Sequence, residues 1–257
     1  MPHVVRDGVK LFYDEAGSGD PALVFVHGWC CDRSYHAPQF EHFGATHRVI
    51  TVDLRGHGDS DKPDDGYTIP NFADDVAAVC GALSLNKPVI VGHSMGGAIA
   101  LSLSVRHPEL ARAIVMLDGA LPAPASLSAV GKPLGAAFRS EGYLAPLTGV
   151  VNGLFIATDD ATRRAHITQS MVATPQRVMA AEWEAIWAND WVAEARACRA
   201  PAMYVGAHVF MADMVRLREL MPHVVSAQTV GAGHFHQLEV PDQVNAMIER
   251  FLRTSCA

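Results

Sequence analysis

Several short runs along the chain are apolar without interruption. Ala22-Leu23-Val24-Phe25-Val26, Pro88 to Val91, Ala113-Ile114-Val115-Met116-Leu117 and Ala202-Met203-Tyr204-Val205-Gly206 show none of the alternation of a half-exposed strand. Strands covered on both faces of a parallel sheet read this way. A further strand is expected from Arg48 to Val52 and a last one near Val224 to Val230. Val4 to Tyr13 does alternate, around Asp7-Gly8, which predicts an antiparallel hairpin at the start of the chain. Helical periodicity falls between these runs, at about Tyr35 to Phe43, Asn71 to Leu85, Met95 to Arg106, Asp213 to Leu220 and Val244 to Arg253. Strands and helices alternating at this spacing predict an α/β fold built from crossover units around a mostly parallel sheet. Ligands bind such sheets beyond the carboxyl ends of the strands, where His27 to Cys30, Ser94 and Asp118 all fall.

The pattern changes from about residue 120 to 199. After Leu121-Pro122-Ala123-Pro124 it is helical with no convincing strand, just where the sheet should continue. The expected organisation is a core formed by 1–119 and 200–257, with 120–199 inserted as a helical cap, or lid. Within the cap, Trp183, Trp187 and Trp191 recur every four residues, with Met179 one turn earlier, predicting three indoles along one helix stripe. Such a stripe either packs the cap against the core or lines a substrate pocket. The second reading predicts a preference for compact or aromatic acyl groups.

Composition narrows the function classes. The 257 residues are 49% apolar and 18% charged, with a formal net charge of −7 and no basic cluster longer than Arg163-Arg164. Nucleic acid is therefore not an expected partner, and a small neutral molecule is. The N-terminal residues lack the apolar core of a signal peptide, and no run of 18 apolar residues offers a membrane span, so a cytoplasmic protein is expected. Monomer and homodimer stay equally open. Five cysteines, at 30, 31, 80, 198 and 256, lack C-x-x-C spacing and read as free thiols.

The chemistry concentrates at Gly92-His93-Ser94-Met95-Gly96-Gly97, where an apolar strand passes into a helix with no loop between them. This G-x-S-x-G spacing is that of a nucleophile elbow. Glycines flank the serine because a Cβ would collide where strand and helix backbones meet, and the Met95 N–H points into the same space as the serine hydroxyl. A serine hydroxyl needs an imidazole to take its proton, and the imidazole needs a carboxylate to fix its tautomer. His234, in the Gly-x-Gly-His-Phe loop after the last expected strand, is the candidate base. His234-x-His236 lacks a carboxylate or thiol spaced to complete a metal site, so no metal or other cofactor is expected.

Together, His27-Gly28-Trp29, Asp53-x-Arg55-Gly56-His57-Gly58-x-Ser60, the elbow, and Gly233-His234-Phe235 followed by Glu239-x-Pro241 resemble the α/β-hydrolase fold family over essentially the whole chain. The resemblance implies the order nucleophile, acid, histidine, and an oxyanion hole formed by the backbone amides of Trp29 and Met95. The commonest family acid position is occupied here by Val209. Two aspartates compete for the role: Asp118, at the tip of the strand after the elbow helix, is favoured, and Asp213, which reads as a helix N-cap, is the alternative. Cys30, Trp183, Trp187 and Trp191 are candidate pocket residues. His36, His93 and His208 read as solvated or locally hydrogen-bonded. The expected activity is serine hydrolysis of a carboxylic ester or lactone of a small, largely apolar molecule through an acyl-enzyme on Ser94. Perhydrolysis, carbon–carbon bond hydrolysis, cofactor-free ring-cleaving dioxygenation and a non-catalytic small-molecule receptor remain alternatives on the same fold.

Overall fold

The structure, a computed structural model, describes residues 2–119 and 121–255; Cys256 lies outside the described residues. In chain order the first half comprises β1 (His3–Arg6), β2 (Val9–Ala16), β3 (Leu23–Val26), α1 (Ala37–Gly44), β4 (Val49–Val52), α2 (Ile69–Ala82), β5 (Val89–His93), α3 (Met95–Arg106) and β6 (Ala113–Leu117). Six helices follow: α4 (Ala125–Gly131), α5 (Leu134–Phe138), α6 (Leu144–Asn152), α7 (Ala161–Val172), α8 (Gln176–Ala188) and α9 (Trp191–Ala197). The chain closes with β7 (Ala202–Gly206), α10 (Met214–Leu220), β8 (Val225–Gln228), α11 (His236–Glu239) and α12 (Pro241–Ser255).

The strands form one sheet in the order β1-β2-β4-β3-β5-β6-β7-β8. The opening hairpin joins it antiparallel through β2 and β4, and every later pairing is parallel. Alternate residues of the same strands feed the two faces. Val24, Val26, Ile50, Ile90 and Met116 enter the larger apolar cluster, while Leu23, Phe25, Val49, Val91 and Val115 enter the smaller one with α12. Both faces are covered, which is why these runs do not alternate in polarity. Register then aligns the strand ends: His93 lies opposite Leu117, so Ser94 and Asp118 leave neighbouring strands at the same level.

Between β6 and β7, where the sequence predicts an insertion, the described residues hold helices and no strand; Ala120, at its expected start, lies outside them. One expectation inside it fails. The helix carrying Trp183 and Trp187 ends at Ala188, and Trp191 opens a new helix, so the three indoles do not share one stripe. The break falls at Asn189-Asp190, where the Asp190 side chain accepts from the Ala193 N–H and caps the second helix. At the other end, β8 stops at Gln228, two residues short of the predicted Val230, and the unpredicted α11 begins two residues after His234.

The elbow is tightly packed backbone against backbone. Ser94 has φ 54° and ψ −117°, a positive-φ conformation that a side-chain-bearing residue adopts only under constraint. A Cβ on Gly92 would overlap the Gly96 carbonyl, and one on Gly96 would overlap the Val26 carbonyl of β3. Both obstacles are backbone and cannot rotate away. Gly92→Ala or Gly96→Ala is therefore expected to lower unfolding stability by about 3 kcal/mol or more, or to prevent soluble expression. Gly81→Ala, in an exposed turn of α2 with nothing near its Cβ position, should instead raise stability by about 0.5–1 kcal/mol. Urea unfolding of the three variants checks the sign and the order.

Candidate active site

Ser94 sits at the carboxyl end of β5, where its N–H donates to the Leu117 carbonyl at 2.8 Å and its carbonyl accepts from Gly97 at 3.0 Å. These bonds hold the elbow's backbone to the next strand and to the first turn of α3. Met95 is the first residue of that helix, so its N–H has no intrahelical acceptor. The Trp29 N–H likewise finds no acceptor among the described residues. Gly28 is pressed against the elbow, since a Cβ there would lie 3.0 Å from Ser94 Cβ. The loop after β3 is fixed by His27, whose Nδ1–H donates to the Gly28 carbonyl at 2.8 Å and whose Nε2 accepts from the Leu54 N–H at 3.0 Å. Burial first, and the nearby His57 next, hold the His27 pKa well below 6.5 against the opposing Gly28 bond, and keep the imidazole neutral.

Asp118 is buried at the end of β6. Its Oδ1 accepts from the Ala207 N–H at 3.1 Å, and its Oδ2 lies 2.8 Å from Nδ1 of His234. An ionised carboxylate only accepts, so Nδ1 carries the proton and Nε2 is the acceptor nitrogen. Asp213 lies elsewhere in role: its Oδ1 accepts from Arg216 N–H at 3.0 Å and caps α10, as its position before that helix predicts. Ser94 and His234 line one cavity, and among the described residues Ser94 makes no direct hydrogen bond to His234.

That cavity has a volume of about 500 Å³. Met95, Leu121, Leu134, Val150, Ile186 and Phe235 contribute apolar walls, and Trp183, Trp187 and Trp191 all reach it despite the break between their helices. None of its described lining residues is Asp, Glu, Lys or Arg. Cys30 does not line it. Its neighbour Cys31 does, while Cys30 adopts φ 57° with its side chain buried. Burial first and Glu182 next push the Cys30 thiol far above its usual range, so it is not a thiolate nucleophile. Among the described residues no group of three His, Cys, Asp or Glu is placed to hold a metal ion.

Two groups escaped the sequence. His93 and His36 are fully buried rather than solvated, each donating from Nε2 to a backbone carbonyl, that of His234 at 2.9 Å and that of Val26 at 3.2 Å. Burial, then His234, keeps His93 neutral, far below pKa 6.5, so it ties the His234 loop to the elbow without adding charge. Glu182 is the second. It is fully buried on α8, 3.2 Å from His57 Nε2, and the Cys30 N–H faces its carboxylate. One turn earlier the Met179 carbonyl accepts from Trp29 Nε1 at 2.9 Å. Met179, Glu182, Trp183 and Ile186 share a face at i, i+3, i+4, i+7, so a glutamate inside an apolar stripe was the legible signal.

A family model for the alpha/beta hydrolase fold matches residues 21–241, and the chain belongs to that family. It is 38% identical over 127 residues to AB hydrolase superfamily protein YisY of Bacillus subtilis, covering 48% of this chain and 47% of that protein. It is 37% identical over 119 residues to the bifunctional esterase/perhydrolase DCH of Acinetobacter calcoaceticus, covering 46% and 43%. The chain thus spans just under half the length of these curated relatives. Among solved structures it is similar to Est816, an N-acyl homoserine lactone degrading enzyme, with TM-score 0.84, 30% identity and coverage of 97% and 100% of the two chains. The enol-lactonase from Burkholderia xenovorans LB400 superposes with TM-score 0.87 at 25% identity, covering 98% and 100%. Among the described residues no helix is long and apolar enough to cross a membrane.

The His57–Glu182 pair makes its own prediction. Burial, the largest cause, lowers the His57 pKa, but the Glu182 carboxylate, aided by the Arg55 carbonyl and Asp53, holds the imidazole above 6.5. In side-chain NMR, His57 is expected to titrate above 6.5 in the wild type and at lower pH in Glu182→Gln; an unchanged midpoint would contradict the pairing.

Proposed function

We propose that the protein is a serine hydrolase that cleaves a carboxylic ester or lactone of a small, largely apolar molecule through an acyl-enzyme on Ser94. The observation that carries this reading is the cavity: its walls are apolar, and it is shared by a serine on a strained elbow and a histidine whose Nδ1 is bonded to a buried aspartate. Similarity to Est816 and to an enol-lactonase supports the lactone half of the proposal.

In the proposed reaction His234 Nε2 takes the Ser94 proton as Oγ attacks the substrate carbonyl. The approach of Ser94 to His234 tightens in the substrate complex, as catalytic hydrogen bonds that are long in empty sites commonly do. Asp118 holds the imidazole in the Nδ1–H tautomer and stabilises the imidazolium that forms. The Trp29 and Met95 amides receive the oxyanion in a cavity with largely apolar walls, where hydrogen bonds are stronger than in bulk water. His234 then protonates the leaving alkoxide, and water, deprotonated by the same imidazole, releases the acid. For a lactone, the leaving alkoxide stays tethered to the acyl group. The cavity is larger than a compact acyl group requires and falls within the roughly 300–1,000 Å³ of ligand pockets, so chain length alone does not restrict entry. Charge does, because the described wall offers no ionised partner for a buried carboxylate.

A p-nitrophenyl ester panel tests the proposal. Wild type should hydrolyse the neutral butanoyl ester and cleave the succinyl monoester, with its free carboxylate, at least about tenfold more slowly. Ser94→Ala should lose at least roughly a thousandfold in kcat, Asp118→Asn at least about a hundredfold, and Asp213→Asn less than about threefold. Wild-type levels of turnover in Asp118→Asn with loss in Asp213→Asn would transfer the acid role, and full turnover in Ser94→Ala would end the proposal.

A further inference from the structure

His234 stands on a loop that belongs to neither the sheet nor a helix. The last strand ends at Gln228, α11 begins at His236, and Val230 between them is three-quarters exposed. A base on such a segment needs its backbone fixed, because an imidazole displaced by about 1 Å can lose roughly a hundredfold in rate. The core holds it through His93, His208 and Gln243, and the two amides nearest the imidazole, those of Gly233 and His234, are held from the helical insertion. Asp159, in the connection between α6 and α7, is 6% exposed. Its Oδ1 accepts from the Gly233 N–H at 2.8 Å, and its Oδ2 accepts from the Ile156 N–H at 2.8 Å. The Leu154 carbonyl accepts from the His234 N–H at 2.9 Å, and the Thr158 hydroxyl donates to the Gly231 carbonyl at 3.2 Å.

We propose that Asp159 is a positioning residue for His234: its carboxylate ties the segment 154–159 of the insertion to the amide before the imidazole. This role rests on the serine-hydrolase reading above. Asp159 does not line the cavity and touches neither Ser94 nor Asp118, so its influence runs through backbone. One carboxylate spans two amides, one on each side of the contact, in bonds strengthened by its charge. The contact also explains the glycine in Gly233-His234. A Cβ there would overlap the Asp159 carboxylate and lie 2.8 Å from the Leu154 carbonyl, so only hydrogen fits where the insertion presses on the loop. The Asp118 bond fixes the far end of the imidazole, and Asp159 together with Leu154 fixes the backbone from which it hangs.

The test uses the full chain with Asp159→Ala and Asp159→Asn. Active sites are counted with a fluorophosphonate, and kcat per counted site, KM for p-nitrophenyl butanoate and melting temperature are measured. Asp159→Ala leaves the Gly233 N–H without an acceptor and should lower kcat per site at least about tenfold with KM within about twofold. Asp159→Asn keeps one acceptor oxygen and should lose about threefold; if the alanine variant does not fold, this loss decides alone. A lower melting temperature with kcat per site unchanged marks a merely structural contact and overturns the proposal. Wild type that neither reacts with the fluorophosphonate nor turns over ester would instead overturn the serine-hydrolase reading, a result the variants cannot mimic.

Discussion

Everything at the site depends on a backbone crossing in which no side chain fits. Helix α3 starts directly from β5 and lies so close to β3 and β5 that Gly92 and Gly96 meet carbonyl groups where other residues carry a Cβ. That contact forces Ser94 into positive φ and leaves the Met95 amide at an open helix end. Burial of the surrounding strands maintains the strain: Val26, Val91, Met116 and Leu117 are fully buried around the turn, so relaxing it would open the core. A packing constraint of the sheet thus becomes a chemical property of one hydroxyl.

Charge is handled with similar economy. Four histidines, at 27, 36, 93 and 236, are buried, and burial is the largest cause lowering each pKa. Kept neutral, they serve as hydrogen-bonding struts: His27 holds the loop after β3, and His93 holds the carbonyl of His234. His234 differs from these four because its Nδ1 lies at hydrogen-bond distance from the buried Asp118 carboxylate. Contacts from the helical insertion reach both sides of the site. Helix α8 holds Trp29 through the Met179 carbonyl, and the 154–159 segment holds the His234 loop. Trp29 is further enclosed by Phe138 and Trp183, with ring centroids 5.6 and 4.8 Å away.

The core of the fold was legible because its signals are local. Uninterrupted apolar runs gave β3, β5, β6 and β7, in places to the residue, and the elbow announced itself through two glycines at fixed spacing. Asp118 was favoured over Asp213 as the carboxylate for His234 from its strand-end position, and the structure brings the two together across 116 residues of chain, through the register of β5, β6 and β7. What local pattern could not carry was lost. The four-residue tryptophan spacing survives a helix break because Asp190 restarts the next helix almost at once. Cys30 looked like a pocket residue by adjacency, but the residue that lines the cavity is its neighbour Cys31. Asp159 carries no signal in sequence at all, because an acid in a polar connection looks like any solvated residue until the loop it grips is folded against it.

In the proposed reaction the Ser94 hydroxyl becomes covalently acylated during turnover. Mixing the protein with excess p-nitrophenyl butanoate, quenching in acid within the first turnovers and digesting for mass spectrometry tests it directly. A butanoyl adduct, about 70 Da of added mass on the peptide containing Ser94, is expected to appear with a burst of p-nitrophenolate and to be absent from Ser94→Ala. Ester turnover with no adduct on that peptide, or with the adduct on another residue, would contradict it.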